Sequence, residues 1–214
     1  MKSLISVAAI AAIAGAASAD VLTNTAPTYD FKTLTTNSSV PASNDRAGET
    51  RTVSLDSVAS WDGLGDADNT VMSIDMAALF GLSSGSAIDL NGIAWDVTVS
   101  TVGASWLSEA TMYFDNATQD SGAGIFLTVG IGDDFAGTSS YSSGGIVKLA
   151  DAGLPDLVLA DGVLRIEFWE SFDDVADDID SFMSGTLTLQ SSVPAPSGVA
   201  LLGLGGLVAL RRRR

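Results

Sequence analysis

Residues 93–100, Ile-Ala-Trp-Asp-Val-Thr-Val-Ser, carry a large apolar side chain at every odd position and a small or polar one at every even position. A period of two puts the two sets on opposite faces of an extended chain, so this segment is expected as a strand with one buried and one wetted face. The same alternation sets Met72, Ile74 and Met76 against Val71, Ser73 and Asp75, and Met112 and Phe114 against Thr111, Tyr113 and Asp115. Further strands are expected at 52–58, 124–131, 145–149, 163–168 and 185–190, the last with Leu187 and Leu189 inward and Thr186, Thr188 and Gln190 outward. Clusters of Gly, Ser, Asn and Asp at 61–69, 132–144 and 173–184 separate these runs as turns and loops. Seven or more short strands with turn-rich joins predict an all-β domain, an antiparallel β-sandwich with a jelly roll as the first choice of topology. A short helix is expected at 76–82, where Ala77, Ala78, Leu79 and Phe80 favour it and Gly81 can close it. Val175, Ile179 and Phe182 recur at helical spacing inside an acidic segment, read as a loop with at most one turn of helix. No internal repeat of solenoid or propeller length is visible.

Both ends of the chain stand outside this pattern. Met1-Lys2 precedes an apolar stretch from Leu4 to Ala16 and then Ala17-Ser18-Ala19, the layout of a secretory leader with a small-residue cleavage site. The expected organisation is a leader at 1–19, a β ectodomain at 20–192 and a C-terminal signal at 193–214, with short helices in the leader and the tail. The tail reads Val193-Pro194-Ala195-Pro196, then an apolar run from Gly198 to Leu210, then Arg211, Arg212, Arg213 and Arg214. That run has 13 residues, against roughly 20 for a stable span, so it suits transient membrane association with the arginines on the cytoplasmic side.

This tail resembles the PEP-CTERM sorting signal of bacterial exopolysaccharide-associated proteins, in which a Pro-Glu-Pro motif precedes a short hydrophobic segment and a basic end. Ala195 stands where that family has glutamate. The resemblance covers the tail alone. It implies membrane targeting, processing by an exosortase-like enzyme as partner, and release to the cell surface or an exopolysaccharide matrix.

Charge and composition narrow the chemistry. Outside the leader and tail the basic residues are Lys32, Arg46, Arg51, Lys148 and Arg165, five against 26 acids, for a net charge of −21. A surface of that sign argues against nucleic acid and anionic membrane as partners. The chain has no histidine and no cysteine, which removes a Ser-His-Asp triad, most zinc and copper sites, and any disulfide framework. Gly81-Leu82-Ser83-Ser84-Gly85 matches the spacing of a nucleophile elbow but has no imidazole to serve as base, so it is read as a turn. Asp120-Ser121-Gly122 resembles the Asp-Ser-Gly of aspartic proteases without the apolar strand that precedes it there. Glu167 and Glu170, three apart on a strand, fall on opposite faces and cannot flank one glycosidic bond. No catalytic residue is assigned.

Two kinds of binding residue remain. Asp62, Asp66 and Asp68 lie with Asn69 in a glycine-containing loop, and calcium favours such hard oxygen donors, although the EF-hand spacing is not met. Asp133-Asp134 and the run of Asp173, Asp174, Asp177, Asp178 and Asp180 add further carboxylates, read first as solvated loop residues. Trp61, Trp106 and Trp169 could stack on sugar rings, Trp61 and Trp106 being preferred for their place beside loops, while Trp95 belongs to the core. The sequence therefore points to an exported, non-enzymatic surface or matrix protein, with a carbohydrate-binding module, with or without calcium, as the alternative.

Overall fold

A computed structural model describes residues 30–33, 48–117, 124–174 and 178–192. The expected leader and sorting tail, with the helices expected in them, lie outside these residues, as does Asp120-Ser121-Gly122. The elements in chain order are β1 (Asp30–Thr33), β2 (Glu49–Ser60), β3 (Thr70–Asp75), α1 (Met76–Leu79), β4 (Ile88–Leu90), β5 (Gly92–Thr101), β6 (Ala110–Asn116), β7 (Ile125–Thr128), β8 (Thr138–Ser142), β9 (Val147–Lys148), a 3-10 turn at Leu149–Ala152, β10 (Leu157–Leu159), β11 (Val163–Glu170) and β12 (Ser181–Ser191). The fold is all-β, and every strand pair is antiparallel.

One sheet has the order β1-β7-β6-β11-β3 and a second the order β2-β12-β5-β8, with β9 also on β5 and β10-β4 as a separate ribbon. The alternation read from sequence sets the inner faces. Ile93, Trp95, Val97 and Val99 of β5, Leu187 and Leu189 of β12, Met112 and Phe114 of β6, and Leu164, Ile166 and Phe168 of β11 are buried in one continuous apolar cluster. Burying such side chains is the main driving force for the fold, at about 25 cal/mol per Å² of apolar surface.

Several segments depart from expectation. The helix ends at Leu79 rather than Leu82, because Gly81 takes a φ of 78° and the chain turns there. The Leu82 amide donates to the Ala77 carbonyl at 2.8 Å and the Gly81 amide to that of Ala78 at 3.0 Å, a pattern that closes a helix. Gly81 to Gly85 is a turn, with the Ser84 hydroxyl on the Asp75 carboxylate. β8 lies inside the segment read as a loop at 132–144; its sequence Thr-Ser-Ser-Tyr-Ser buries only Tyr141, so its strand character comes from pairing with β5 rather than from an apolar face. The stretch 173–184 also gives up its last residues to β12, which begins at Ser181 and turns Met183 into the core. β1, β4 and β10 are three or four residues long, too short to show a period. Among the described residues no helix is long and apolar enough to cross a membrane.

β12 is the centre of its sheet, paired with β2 on one side and β5 on the other. Its register with β2 slips between Met183 and Gly185, where Asp56 and Ser57 together oppose Ser184, a β-bulge. Ser57 sits at the bulge with φ 53° and Gly185 faces it with φ 129°. A Cβ on Gly185 would stand on the Asp96 carbonyl oxygen and 2.8 Å from Val97 Cα, both in the backbone of β5. Gly185→Ala is therefore expected to lower the unfolding free energy by roughly 2–4 kcal/mol, and Ser57→Gly to raise it by about 1 kcal/mol by removing the left-handed penalty. Urea unfolding of the two variants beside the parent checks both, and a stable Gly185→Ala protein would refute the close approach.

Candidate functional site

One end of the fold gathers the connections 61–69 between β2 and β3, 102–109 between β5 and β6 and 129–137 between β7 and β8, with residues 171–174 after β11 and 178–180 before β12. Backbone hydrogen bonds tie them together. The Glu170 amide donates to the Asp62 carbonyl at 3.0 Å, that of Ser171 to Glu109 at 3.1 Å, that of Leu107 to Phe135 at 3.1 Å, and that of Val102 to Asp180 at 2.7 Å. Asn69 holds the first loop in shape, its Oδ1 accepting the Trp61 and Asp62 amides at 3.1 Å each. Its amide group donates to Gly63 O at 2.9 Å and to Glu167 Oε1 at 3.1 Å, which fastens this loop over β11.

Glu170 closes this end from inside. It is the last residue of β11 and 1 % exposed, and its Oε1 accepts the hydroxyls of Ser60, at the end of β2, and Ser181, at the start of β12. The two hydroxyls lie 2.7 Å apart, so one carboxyl group of the first sheet joins two strands of the second. Its Oε2 has no hydrogen-bond partner among the described residues. Burial, with like charge from Asp180 and Glu109, pushes the Glu170 carboxyl up from its ordinary 4.5 to about 7 despite the two serines. Nearby carboxyls shift the same way. Glu109 is raised by burial and by Asp174 and Asp180, and Asp62 by partial desolvation and by Asp173 and Asp66.

Around the corner from Glu170 lies an open groove on the outer face of the β1-β7-β6-β11-β3 sheet. Its volume is about 310 Å³, and it is lined by Ser108, Thr111, Phe126, Thr128, Ile131, Trp169 and Ser171. That is the lower end of the roughly 300–1,000 Å³ of small-ligand sites. Strand parity builds it: Trp169 points away from the core that takes Phe168, and Phe126 away from the core that takes Leu127. The Phe126 and Trp169 rings meet edge to face at 5.7 Å, and Tyr113 stacks on Phe126 at 4.8 Å, making an aromatic file across three strands. The Thr111 and Thr128 hydroxyls are 2.8 Å apart, and Thr111 also donates to the Glu109 carbonyl. At the rim the Ser108 hydroxyl donates to Asp134 Oδ1 at 2.8 Å. The arrangement offers apolar ring faces beside hydroxyl groups, the combination that holds a sugar ring.

The residues singled out from sequence distribute around this end. Trp106 is 43 % exposed on the 102–109 loop, and Trp61 is partly buried at the start of its own loop. Neither lines the groove, where Trp169 stands instead. Asp66 spends Oδ1 on the Asp68 amide at 2.9 Å, a turn interaction. Among the described residues no group of three or more carboxylates is placed to hold a metal ion. Glu167 and Glu170 do lie on opposite faces, Glu167 paired with Arg165 at 2.6 Å and Glu170 with the two serines. Val193, Pro194, Ala195, Pro196 and Arg211 to Arg214 lie outside the described residues. The groove was legible only as parity, since an outward tryptophan at 169 and an outward phenylalanine at 126 mark a wetted face with unusual aromatic content. That the two adjoin was not. The whole chain matches no family model, and no curated protein or solved structure matches it.

The raised carboxyls make stability depend on pH in a defined direction. A carboxyl whose pKa is higher in the folded than in the unfolded chain holds extra proton in the folded state between the two values, so stability falls as pH rises through that window. For Glu170 the window runs from 4.5 to about 7. The full effect is about 3 kcal/mol at a shift of this size. Glu170→Gln mimics the neutral acid, so it is expected to raise the melting temperature at pH 8 and leave it nearly unchanged at pH 4. Equal effects at the two pH values in thermal unfolding would contradict the assignment.

Proposed function

We propose that this chain is an exported, non-catalytic protein of the cell surface or exopolysaccharide matrix whose β domain binds glycan in the Trp169 groove. The observation that carries the binding half is the groove itself, where Trp169 and Phe126 stand among four hydroxyl side chains on an exposed sheet face. The absence of histidine and cysteine from the chain, and the inward or paired placement of Glu170 and Glu167, favour binding over hydrolysis.

The domain is best understood as a jelly-roll-like β-sandwich. β2 pairs with β12 and β3 with β11, while β5 pairs with β8 and β6 with β7, the nested pairing of a long ribbon rolled upon itself into two sheets. The leader read at 1–19 exports the domain, and the tail from Val193 to Arg214 is the sorting signal, held briefly in the membrane and removed by an exosortase-like enzyme. β12 runs from Ser181 at the loop end to Ser191 at the other, about 35 Å for 11 residues at strand rise. Asp89 fastens that far end through Ser191 and the Ser192 amide. A tail leaving there in the membrane points the groove and its loops outward, toward matrix.

Affinity electrophoresis of the full chain through gels containing the producing cells' own exopolysaccharide tests the binding half. Retardation is expected, and Trp169→Ala is expected to weaken it about tenfold through the loss of the apolar ring surface the glycan would cover, with the circular dichroism unchanged. An unretarded parent chain would sink the binding reading. For sorting, replacing Arg211 to Arg214 by alanine is expected to leave the tail uncut, read by mass spectrometry as retention of residues 193–214; release of a trimmed variant would refute the role of the arginines.

A further inference from the structure

Each hydroxyl lining the groove carries one proton and two lone pairs, and its neighbours decide which of them faces a ligand. Thr111 donates to the Glu109 carbonyl at 3.1 Å. In its 2.8 Å contact with Thr128 it therefore accepts, and the Thr128 proton is taken up there. The Ser108 proton goes to Asp134 Oδ1 at 2.8 Å. Thr128 and Ser108 are thus left with lone pairs to offer a ligand. Ser171, exposed at the rim, is the one lining hydroxyl whose proton has no acceptor among the described residues. Trp169 adds no donor, since its Nε1 is buried, and offers a ligand its ring alone. Charge along the neighbouring edge is mixed: β1 sets Asp30 beside Thr128 and Lys32 beside Phe126 in register. The Glu109 carboxylate is taken up by the Trp106 amide at 2.7 Å.

We infer that the groove takes an uncharged sugar unit whose free hydroxyls donate into it, and that it disfavours units carrying carboxylate, sulfate or ester groups on that edge. Strand register supplies the geometry. Trp169 stands opposite Thr111 across β11 and β6, and Thr111 opposite Thr128 across β6 and β7. Ring and accepting oxygen therefore lie in one row across three strands, and a sugar laid on the ring brings its edge toward Thr128. Water donates to such oxygens in an open groove, and a ligand that displaces it has to do the same to keep the bond. A sugar hydroxyl can. A carboxylate, a sulfate or an acyl carbonyl brings lone pairs only, which would meet those of Thr128 and Ser108 and leave both sides unsatisfied. A protonated amine also donates, but the lining holds no carboxylate that would prefer it to a hydroxyl.

The inference rests on the groove being the glycan site, and the experiment keeps the two apart. The full chain is run through gels containing the producing cells' exopolysaccharide, the same polymer after carboxyl reduction and mild-alkali removal of esters, and that reduced polymer after O-methylation. Reduction and ester removal are expected to keep or strengthen the retardation. O-methylation removes the donors while the rings remain, and is expected to weaken it at least tenfold. Thr128→Val removes the accepting oxygen and keeps the branched shape, and is expected to cost about fivefold on the reduced polymer. Thr128→Ser, which restores the oxygen, is expected to recover the parent affinity. Ser108→Ala gives the same readout at the wall if Thr128→Val does not fold. Loss of retardation on carboxyl reduction, full retardation by the O-methylated polymer, or parent affinity in both Thr128→Val and Ser108→Ala would each overturn the inference. In those cases the groove reading stands as long as Trp169→Ala still weakens binding to the native polymer. Should neither the native nor the reduced polymer retard the parent chain, or should Trp169→Ala bind as the parent does, the groove reading falls and takes the inference with it.

Discussion

The structure depends on one strand being inserted last in sequence and first in importance. β12 lies between β2 and β5, so its sheet is incomplete until residues 181–191 pair on both edges with strands begun more than a hundred and about ninety residues earlier. Loop-closure entropy must be met before such pairings contribute, which makes the fold a product of long-range contacts. The bulge at Asp56-Ser57 and the glycine at 185 are local adjustments that let β2 and β5 approach the same strand from both sides. Much of what defines the loop end follows from this insertion, since Asp180 and Ser181 enter with β12, and Asp180 exchanges backbone hydrogen bonds with Ser60 and Val102.

Glu170 shows how a polar group can sit where two sheets meet. It leaves the first sheet at the end of β11 and finds hydroxyl donors on two strands of the second, so it joins sheets by hydrogen bonds at a point where apolar packing runs out. Burial makes its charge costly, and the like charges around it add to the cost.

Much of the fold was written in the alternation. Ile93, Trp95, Val97 and Val99, Met112 with Phe114, and Leu187 with Leu189 all turn inward as their parity demands, because a strand buried on one face leaves no other solution. β8 was invisible because Thr-Ser-Ser-Tyr-Ser has one apolar side chain, and its extended form is imposed by hydrogen bonds from β5. The start of β12 was obscured because Val175, Ile179 and Phe182 share a helical spacing by coincidence. The outer face of β6 was expected to be wet, yet Thr111, Tyr113 and Asp115 are buried, since Phe126 and the close approach of Gly124 cover that side.

Of the candidate site, sequence supplied the ingredients without their arrangement. It identified Trp169 among the possible sugar-stacking residues but preferred Trp61 and Trp106 for their loops. Phe126 drew no attention. By itself the sequence determined that the domain is β-structure, that it is strongly acidic, and that histidine and thiol chemistry are absent, because periodicity and composition are local or additive properties. The tertiary structure decided that Trp169 and Phe126 share one groove, that Ser60 and Ser181 meet Glu170, and that the connections 61–69, 102–109 and 129–137 come to the same end. Such contacts join residues that are distant along the chain, and only the order of the strands brings them together.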